Sequence, residues 1–386
     1  MNWAGSIKRI SDVCEVIAGQ SPEGKYYSKE GDGLPFYQGK KEFTERIIGK
    51  PTTWTTKVTK EAIEGDILMS VRAPVGPINF CAQHSCIGRG LAAIRASEKV
   101  NNDYLFYFLL KQESEIVGNS GAVFNSINKT QIGNIPIPIP SLTEQKQIVA
   151  ILDKAFAAID QAKANIEKNI QNAQELFQSK LNQIFSQKGD GWEEKTLGEV
   201  CDILGGGTPS KKNESFYGGS IPWATVRDMN HDILTQTDHS ITDEGLKNSS
   251  SKIISKNHVV IATRVGLGKI CKLKQDTAIN QDLKGLVPNE KYNILNDFIF
   301  WWFKSISQKV IDAGTGATVQ GVKLTFIKEL SFPLTTKNEQ ERVINTMNAF
   351  SKDTEALLNT YSNKLSSLEE LKKTILQKAF VGELTH

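Results

Sequence analysis

Glycine and proline are missing from residues 142–188 and 337–381, in a chain of 386 residues whose 30 Gly and 12 Pro all lie elsewhere. Without those breakers neither stretch carries a turn signal, so each reads as one uninterrupted helix. Long apolar runs are missing too: no segment approaches the roughly 20 residues that cross a bilayer. The opening Met1-Asn2-Trp3-Ala4-Gly5 lacks the apolar core of a signal peptide, so a cytoplasmic protein is the expectation. Cysteine is sparse and unpaired in spacing (Cys14, Cys81, Cys86, Cys201 and Cys271), which excludes a disulfide framework and fits a reducing compartment. Charge of one sign is missing as well. The net charge is +3, with 16 Lys/Arg against 14 Asp/Glu over residues 1–140 and 17 against 16 over 191–334, so local basic patches are permitted but not demanded. The length implies more than one domain.

The two breaker-free stretches have the same start. Ser141-Leu142-Thr143-Glu144 is a capping box, in which the hydroxyl and the glutamate each satisfy a free N–H of the first turn. Thr336-Lys337-Asn338-Glu339 repeats it 195 residues later. Behind the first box, Ile148, Leu152, Ala155, Ile159, Ala162, Ile166, Ile170, Ala173, Phe177, Leu181 and Ile184 fall at steps of three and four. Behind the second, the seam is Val343, Met347, Thr354, Leu358, Tyr361, Leu365, Leu368 and Ile375. That spacing predicts two coiled-coil-like helices, each a rod of roughly 65–70 Å, ending towards Gly189 and Gly382 and burying their seams against each other.

What lies between the helices is written twice. Val13-Cys14-Glu15-Val16-Ile17 answers to Val200-Cys201-Asp202-Ile203-Leu204 at an offset of 187, as Pro35-Phe36 does to Pro222-Trp223. Residues 65–72 answer to 257–264 at 192, Gly76 to Gly268 at 192, and Asp103-Tyr104-Leu105-Phe106 to Asp297-Phe298-Ile299-Phe300 at 194. Gly121-Ala122 answers to Gly316-Ala317, and Glu144-Gln145 to Glu339-Gln340, at 195. Short Val/Ile/aromatic runs punctuated by Gly, Pro and Asn predict strands and loops in both copies. The expected fold is α+β, with two α/β domains separated by a pair of long antiparallel helices and related by pseudo-two-fold symmetry, the globules at opposite ends of the rod. The loops differ where the frames agree, as residues 20–28 and 207–215 do, which suggests two sites of one kind with different targets.

The usual catalytic constellations are missing. Gly266-Leu267-Gly268-Lys269 ends like a phosphate loop but lacks the upstream glycine spacing and has Ile270 where Ser or Thr belongs. Gly205-Gly206-Gly207 reads as a turn, and Glu193-Glu194-Lys195 as the start of the second domain rather than a nuclease fragment. Cys81, His84 and Cys86 lie within six residues, yet no second ligand pair accompanies them, so no metal and no cofactor are expected. The aromatic runs Tyr104-Phe106-Tyr107-Phe108 and Phe298-Phe300-Trp301-Trp302-Phe303 are read as core rather than base-stacking platforms.

The run Ile135-Pro136-Ile137-Pro138-Ile139-Pro140, followed by Ser141-Leu142-Thr143-Glu144-Gln145, closely resembles the specificity subunit of type I restriction–modification enzymes. So do its echo at 330–343, where Ser331 and Leu334 replace prolines, and the motifs Gly206-Gly207-Thr208-Pro209-Ser210, Ile221-Pro222-Trp223 and Ala262-Thr263-Arg264-Val265-Gly266. The resemblance covers essentially the whole chain. It implies a non-catalytic, sequence-specific DNA-binding subunit with target-recognition domains at 1–140 and 189–335 and spacer helices at 141–188 and 336–386. Each domain would read half of a two-part asymmetric target in double-stranded DNA. The helices would set the gap and dock two modification (methyltransferase) subunits, with restriction (nuclease/translocase) subunits joining and no membrane partner. A coiled-coil scaffold, or the recognition subunit of a methylation-only system, is the alternative.

DNA contact calls for Lys or Arg on loops for phosphates and guanine edges, and Asn or Gln for adenine edges. In the first domain the candidates are Lys25, Tyr26, Tyr27, Lys29, Gln38, Lys40, Lys41, Arg72, Arg89, Asn125 and Lys129. In the second they are Lys211, Lys212, Asn213, Tyr217, Thr225, Arg227, His231, Arg264, Lys269, Gln281, Gln320 and Lys323. The adjacent pairs 40–41 and 211–212 concentrate potential, whereas Arg72 and Arg264 hold equivalent places in the repeat and also suit a framework role.

Overall fold

The computed structural model describes residues 6–118, 126–187, 189, 191–316 and 321–384, without the side chains of residues 114, 115, 117 and 118. Gly121, Ala122, Asn125, Ala317 and Gln320 lie outside the described residues. The chain divides into two compact units, residues 1–166 with 362–386, and residues 167–361.

In the first unit Ser6–Arg9 pairs antiparallel with Pro136–Ile139, which turns the proline-punctuated run into half of a two-stranded ribbon. Pro136 and Pro138 are tolerated there because both strands of a two-stranded ribbon are edges. An antiparallel sheet follows in the order Cys14–Ala18, Leu91–Ala96, Ile67–Ser70, Ile78–Phe80. A second sheet runs Tyr27–Ser28, Trp54–Thr55, Leu34–Tyr37, Ser85–Ile87, Glu61–Ala62, and its one parallel pairing sets Phe36 beside Cys86 and Tyr37 beside Ile87. The second unit repeats the plan. Glu193–Thr196 pairs with Ser331–Leu334, so Glu193-Glu194-Lys195 is a strand opening the second domain. Sheets of Cys201–Gly205, Leu283–Pro288, Val259–Ala262, Ile270–Leu273, Ile233–Leu234 and of His239–Ile241, Tyr217–Ala224, Thr277–Ile279, Lys252–Ile254 match their counterparts. The parallel pairing again joins matching residues, Trp223 beside Ala278.

The matched residues share backbone constraints. Gly65 and Asn257 both hold positive φ (87° and 67°), as Gly76 and Gly268 do (113° and 83°). The Gly266–Lys269 segment is the tight turn between Val259–Ala262 and Ile270–Leu273, closed by the Lys269 N–H on the Gly266 carbonyl at 3.2 Å. The aromatic runs are core: Tyr104, Phe106, Tyr107, Phe108, Phe298, Phe300, Trp301, Trp302 and Phe303 are all at most 3% exposed. Cys81 and Cys86 are buried, and Cys81 donates to the Gln83 carbonyl at 3.1 Å while the exposed His84 ring reaches Glu61 at 3.0 Å. Among the described residues no group of three His, Cys, Asp or Glu is placed to hold a metal ion.

The long helices span Leu142–Ser186 and Lys337–Phe380, 45 and 44 residues. The first capping box closes both ways: the Ser141 hydroxyl accepts the Glu144 N–H at 3.3 Å, and the Ser141 N–H donates to the Glu144 carboxylate at 3.0 Å. The second closes one way only. Thr336 accepts the Glu339 N–H at 3.4 Å, but the Glu339 carboxylate is taken by Arg342, at 2.7 and 2.5 Å. The first helix has Gln147 at that place and so no competing cation. Within the first unit Lys163 pairs with Glu369, and Asp160 accepts from Lys372 at 3.4 Å, which makes the two helical segments there antiparallel. Within the second, Phe177 stacks on Phe350 with ring centres 5.8 Å apart. Val149, Phe156, Phe185, Ile344 and Phe380 are buried outside the expected seam, because each helix covers a sheet domain as well as another helix. Among the described residues no helix is long and apolar enough to cross a membrane.

Candidate nucleic-acid interface

A parallel strand pair delivers the loops after both strands at the same end of the sheet. In the first unit that end carries Gln38, Gly88 and Arg89; in the second, Thr225, Asn280 and Gln281. Two matching backbone hydrogen bonds fasten the loops in each unit. Gly88 N–H donates to Tyr37 at 2.8 Å, and Asn280 N–H to Ala224 at 3.0 Å. A third loop joins, through Gln20 N–H to Ile87 at 2.9 Å and Gly207 N–H to Ile279 at 3.0 Å. Each unit therefore holds a platform of three loops on one frame. Ser21, Gln38 and Arg89 furnish the first; Thr208, Thr225 and Gln281 occupy the same places in the second. The glycine triplet serves this closeness: a Cβ on Gly206 would sit 2.2 Å from both the Ile279 and Asn280 carbonyl oxygens.

In the second unit the platform borders an open concavity of about 860 Å³, lined among others by Lys211, Tyr217, Thr225, Arg227, Gln281 and Asp282. Five sequence candidates thus come together, but their side chains differ in freedom. Thr225 spends its hydroxyl on Asp228 at 2.9 Å, and Tyr217 spends its own on the Pro209 carbonyl at 2.6 Å. Lys211 and Arg227 are exposed. The Gln281 amide accepts from Thr208 and donates to Asp282 at 3.4 Å. Lys284 lies beneath and donates to the Gln281 carbonyl at 3.0 Å, with its pKa held below the ordinary lysine value chiefly by burial. Lysine at 284 and the acidic pair Asp228 and Asp282 were not foreseen; nothing in their spacing sets them apart from ordinary loop residues.

Other candidates lie apart from the platform. Lys269 and His231 line a different concavity, as does Lys129 in the first unit. Asn213 caps its own turn, accepting the Ser215 N–H at 3.1 Å. Lys212 and Lys323 are exposed. Arg72 and Arg264 bridge through their backbones to Ser126 and Gly321, so the framework role holds for both main chains, while the Arg264 guanidinium lies 3.7 Å from Asp282. In the first unit Lys25 pairs with Glu23 at 2.8 Å, and Tyr27 donates to the Pro22 carbonyl at 2.9 Å and packs on Phe36. Tyr26 lies beneath both Lys25 and Lys57, with Nζ atoms 5.1 and 5.0 Å from its ring centre. Lys29, Lys40 and Lys41 are exposed, the last two on a single turn, Lys40–Glu42.

One pair of residues escaped the functional reading although the repeat names it. Gln145 is fully buried; its side-chain oxygen accepts the Asn101 N–H at 2.7 Å, and its nitrogen donates to the Lys99 and Pro140 carbonyls at 3.1 and 2.9 Å. Gln340 does the same, accepting from Leu295 at 2.9 Å and donating to Asn293 at 3.5 Å and Thr335 at 2.9 Å. Each glutamine ties the start of a long helix to the start of the helix that carries the aromatic run, Asn102–Gly118 in the first unit and Asn296–Ser305 in the second, and so fixes the domain to its helix.

A frame used twice, with different polar side chains at matching loop tips, gives the chain two sites of one kind. The chain belongs to the family of the type I restriction modification DNA specificity domain, which matches residues 2–172 and again 189–367. It is 32% identical over 282 residues to the Escherichia coli EcoR124I/EcoR124II type I restriction enzyme specificity subunit, covering 70% of this chain and 67% of that one. It is 43% identical over 170 residues to a Methanocaldococcus jannaschii protein described as a candidate MjaX specificity subunit, covering 43% of this chain and 39% of that relative's length. Among solved structures, a chain of a type I R-M system studied for complex assembly and conformational transition matches with a TM-score of 0.80 over 99% of both chains at 19% identity. The HsdS subunit of Thermoanaerobacter tengcongensis matches with a TM-score of 0.60 over 98% of this chain and 97% of that one, also at 19% identity. These two likenesses concern the fold alone: α+β, duplicated, with two α/β domains and two long helices.

Proposed function

We propose that this chain selects the DNA target of a type I restriction–modification complex and performs no bond chemistry itself. The domains at 1–140 and 189–335 each read one half of a two-part asymmetric sequence in double-stranded DNA. The helices at 141–188 and 336–386 set the gap between the halves and dock two modification subunits, with restriction subunits joining that core. The observation that carries this reading is the pair of loop platforms, fastened by matching backbone bonds and different in side chains, since a shared frame with separate targets is what a two-part sequence requires. Lys40, Lys41, Lys211 and Lys212 supply phosphate contacts beside the platforms, and Arg227 lines the second.

The test is a genome-wide methylation map of cells expressing this chain with its cognate modification subunit, against cells lacking the chain. A two-part motif with a fixed gap, present only with the chain, is the expected result. An unchanged map from a complex that still assembles would favour a coiled-coil scaffold instead. Modification without any restriction would favour a methylation-only system.

A further inference from the structure

We propose that residues 89 and 281 are the matched base-reading positions of the two domains, Arg89 reading a guanine and Gln281 an adenine; this rests on the DNA-reading function above. Each is the second residue of a four-residue turn. Leu91 N–H closes the first on the Gly88 carbonyl at 3.0 Å, and Leu283 N–H closes the second on the Asn280 carbonyl at 3.2 Å. Both turns continue one strand of a parallel pair and are fastened to the other by the Gly88 and Asn280 bonds described above, so their backbone has little freedom to move. Both side chains are exposed at the turn tip. The two positions thus share one place in the frame and differ in side-chain chemistry.

That chemistry separates the bases. A guanidinium presents forked donors that match guanine O6 and N7, while a carboxamide presents one acceptor and one donor that match adenine N6 and N7. The Arg89 side chain has no hydrogen-bond or ion-pair partner among the described residues, and its N–H donates to the Ser21 hydroxyl at 3.1 Å. In the second domain Thr208 takes the place of Ser21 and donates instead to the Gln281 side-chain oxygen, while Asp282 accepts from the Gln281 amide at 3.4 Å. These two bonds settle which end of the amide is oxygen, and leave one lone pair and one N–H for a base edge. The same neighbour therefore steadies the backbone in one copy and orients the reading group in the other.

The experiment is selection of bound duplexes from a randomised pool by the assembled complex of this chain with its modification subunits. Arg89→Ala and Gln281→Ala should each relax preference at one base pair of one half-site, by about 5- to 150-fold, and leave the other half unchanged. Arg89→Gln should replace guanine by adenine at its position, and Gln281→Arg the reverse. Matching melting curves establish that the variants fold; if Arg89→Ala does not, Arg89→Lys keeps the charge, loses the fork and reads the same position. A uniform loss of binding with base preferences intact would make both residues phosphate contacts and overturn the proposal, as would unchanged preferences. A wild-type complex that selects no two-part motif would remove the function itself, and this proposal with it.

Discussion

Replacing Gln145 by alanine removes a buried side chain that satisfies three backbone groups at once: the Asn101 N–H and the Lys99 and Pro140 carbonyls. Each group left without a partner costs about 1–3 kcal/mol, and water entering the vacated space recovers part of that. A loss of about 3–5 kcal/mol follows for the first unit. For a unit of this size each kcal/mol moves the melting temperature by about 2–4 °C, so its transition should fall by roughly 6–20 °C. Scanning calorimetry of the full chain reads this directly, and Gln340→Ala should lower the transition of the second unit instead. Gln145→Glu adds a sign test. The buried carboxyl can accept from Asn101 but faces two carbonyl oxygens, so its folded pKa lies above the unfolded value of about 4.3. Stability is then fullest below that unfolded value and is lost as pH rises through the folded one. This variant should resemble wild type more closely at pH 4.5 than at pH 8. A shift under about 2 °C for either alanine variant would refute the reasoning, since a clip without energetic weight would not fix the domain to its helix.

Lys211→Ala combined with Lys212→Ala should weaken DNA binding and flatten the log–log salt slope by about 2, near 0.9 per phosphate contact; a salt titration by anisotropy checks it, and an unchanged slope removes both residues from the interface. Gly206→Ala should abolish recognition of one half-site, because its Cβ would meet two carbonyl oxygens at 2.2 Å and push the second platform apart; selection from a randomised duplex pool reads the loss. Burial pushes the Cys201 and Cys271 thiols up to about 12, from an ordinary value of 9.0. Both should therefore resist iodoacetamide at pH 8 in the folded chain and react in denaturant, which mass spectrometry resolves. By linkage, the stability they contribute is complete below about pH 9 and lost as the pH climbs towards 12.

The repeat, the helices and the aromatic core were legible because each is a local pattern written twice. A spacing of three and four places residues on one helix face whatever surrounds it, and Tyr104 matching Phe298 marks core in both copies. The platforms were not legible as such. Gln38, Arg89 and Ser21 are distant in sequence and meet only through the parallel pairing of Leu34–Tyr37 with Ser85–Ile87, a long-range contact that periodicity does not carry. The same holds for the buried glutamines: Gln145 sits one residue from a capping box, where polar residues are ordinary, and only the fold brings Asn101 to it. Nor does the sequence show that Tyr27, Asn213 and Thr225 each engage a side-chain oxygen within their own loops. Glu339 shows a local rule overridden by a neighbour, Arg342 drawing the carboxylate out of the capping box.

The packing of the helix ends explains why the duplication has to be read as a whole. In the first unit Phe380, near the end of the second long helix, packs on Tyr104 and Phe108 with ring centres 5.2 and 5.5 Å away. In the second unit Phe185, near the end of the first long helix, packs on Phe298 at 5.5 Å. Phe185 and Phe380 are 195 residues apart, and Tyr104 and Phe298 are 194 apart, so these are one contact made twice. Each recognition fold is thus covered by the beginning of the helix that follows it and by the end of the other. A segment cut at residue 140 would leave Tyr104 and Phe108 without Phe380, and without Ile148 and Leu152, which complete the same core. The unit that folds is therefore not the contiguous block that the repeat marks out. A recognition block moved between chains keeps its packing only if its aromatic helix still fits the two helix ends that receive it, whereas the turn tips that carry Arg89 and Gln281 lie on another part of the frame and are free to change.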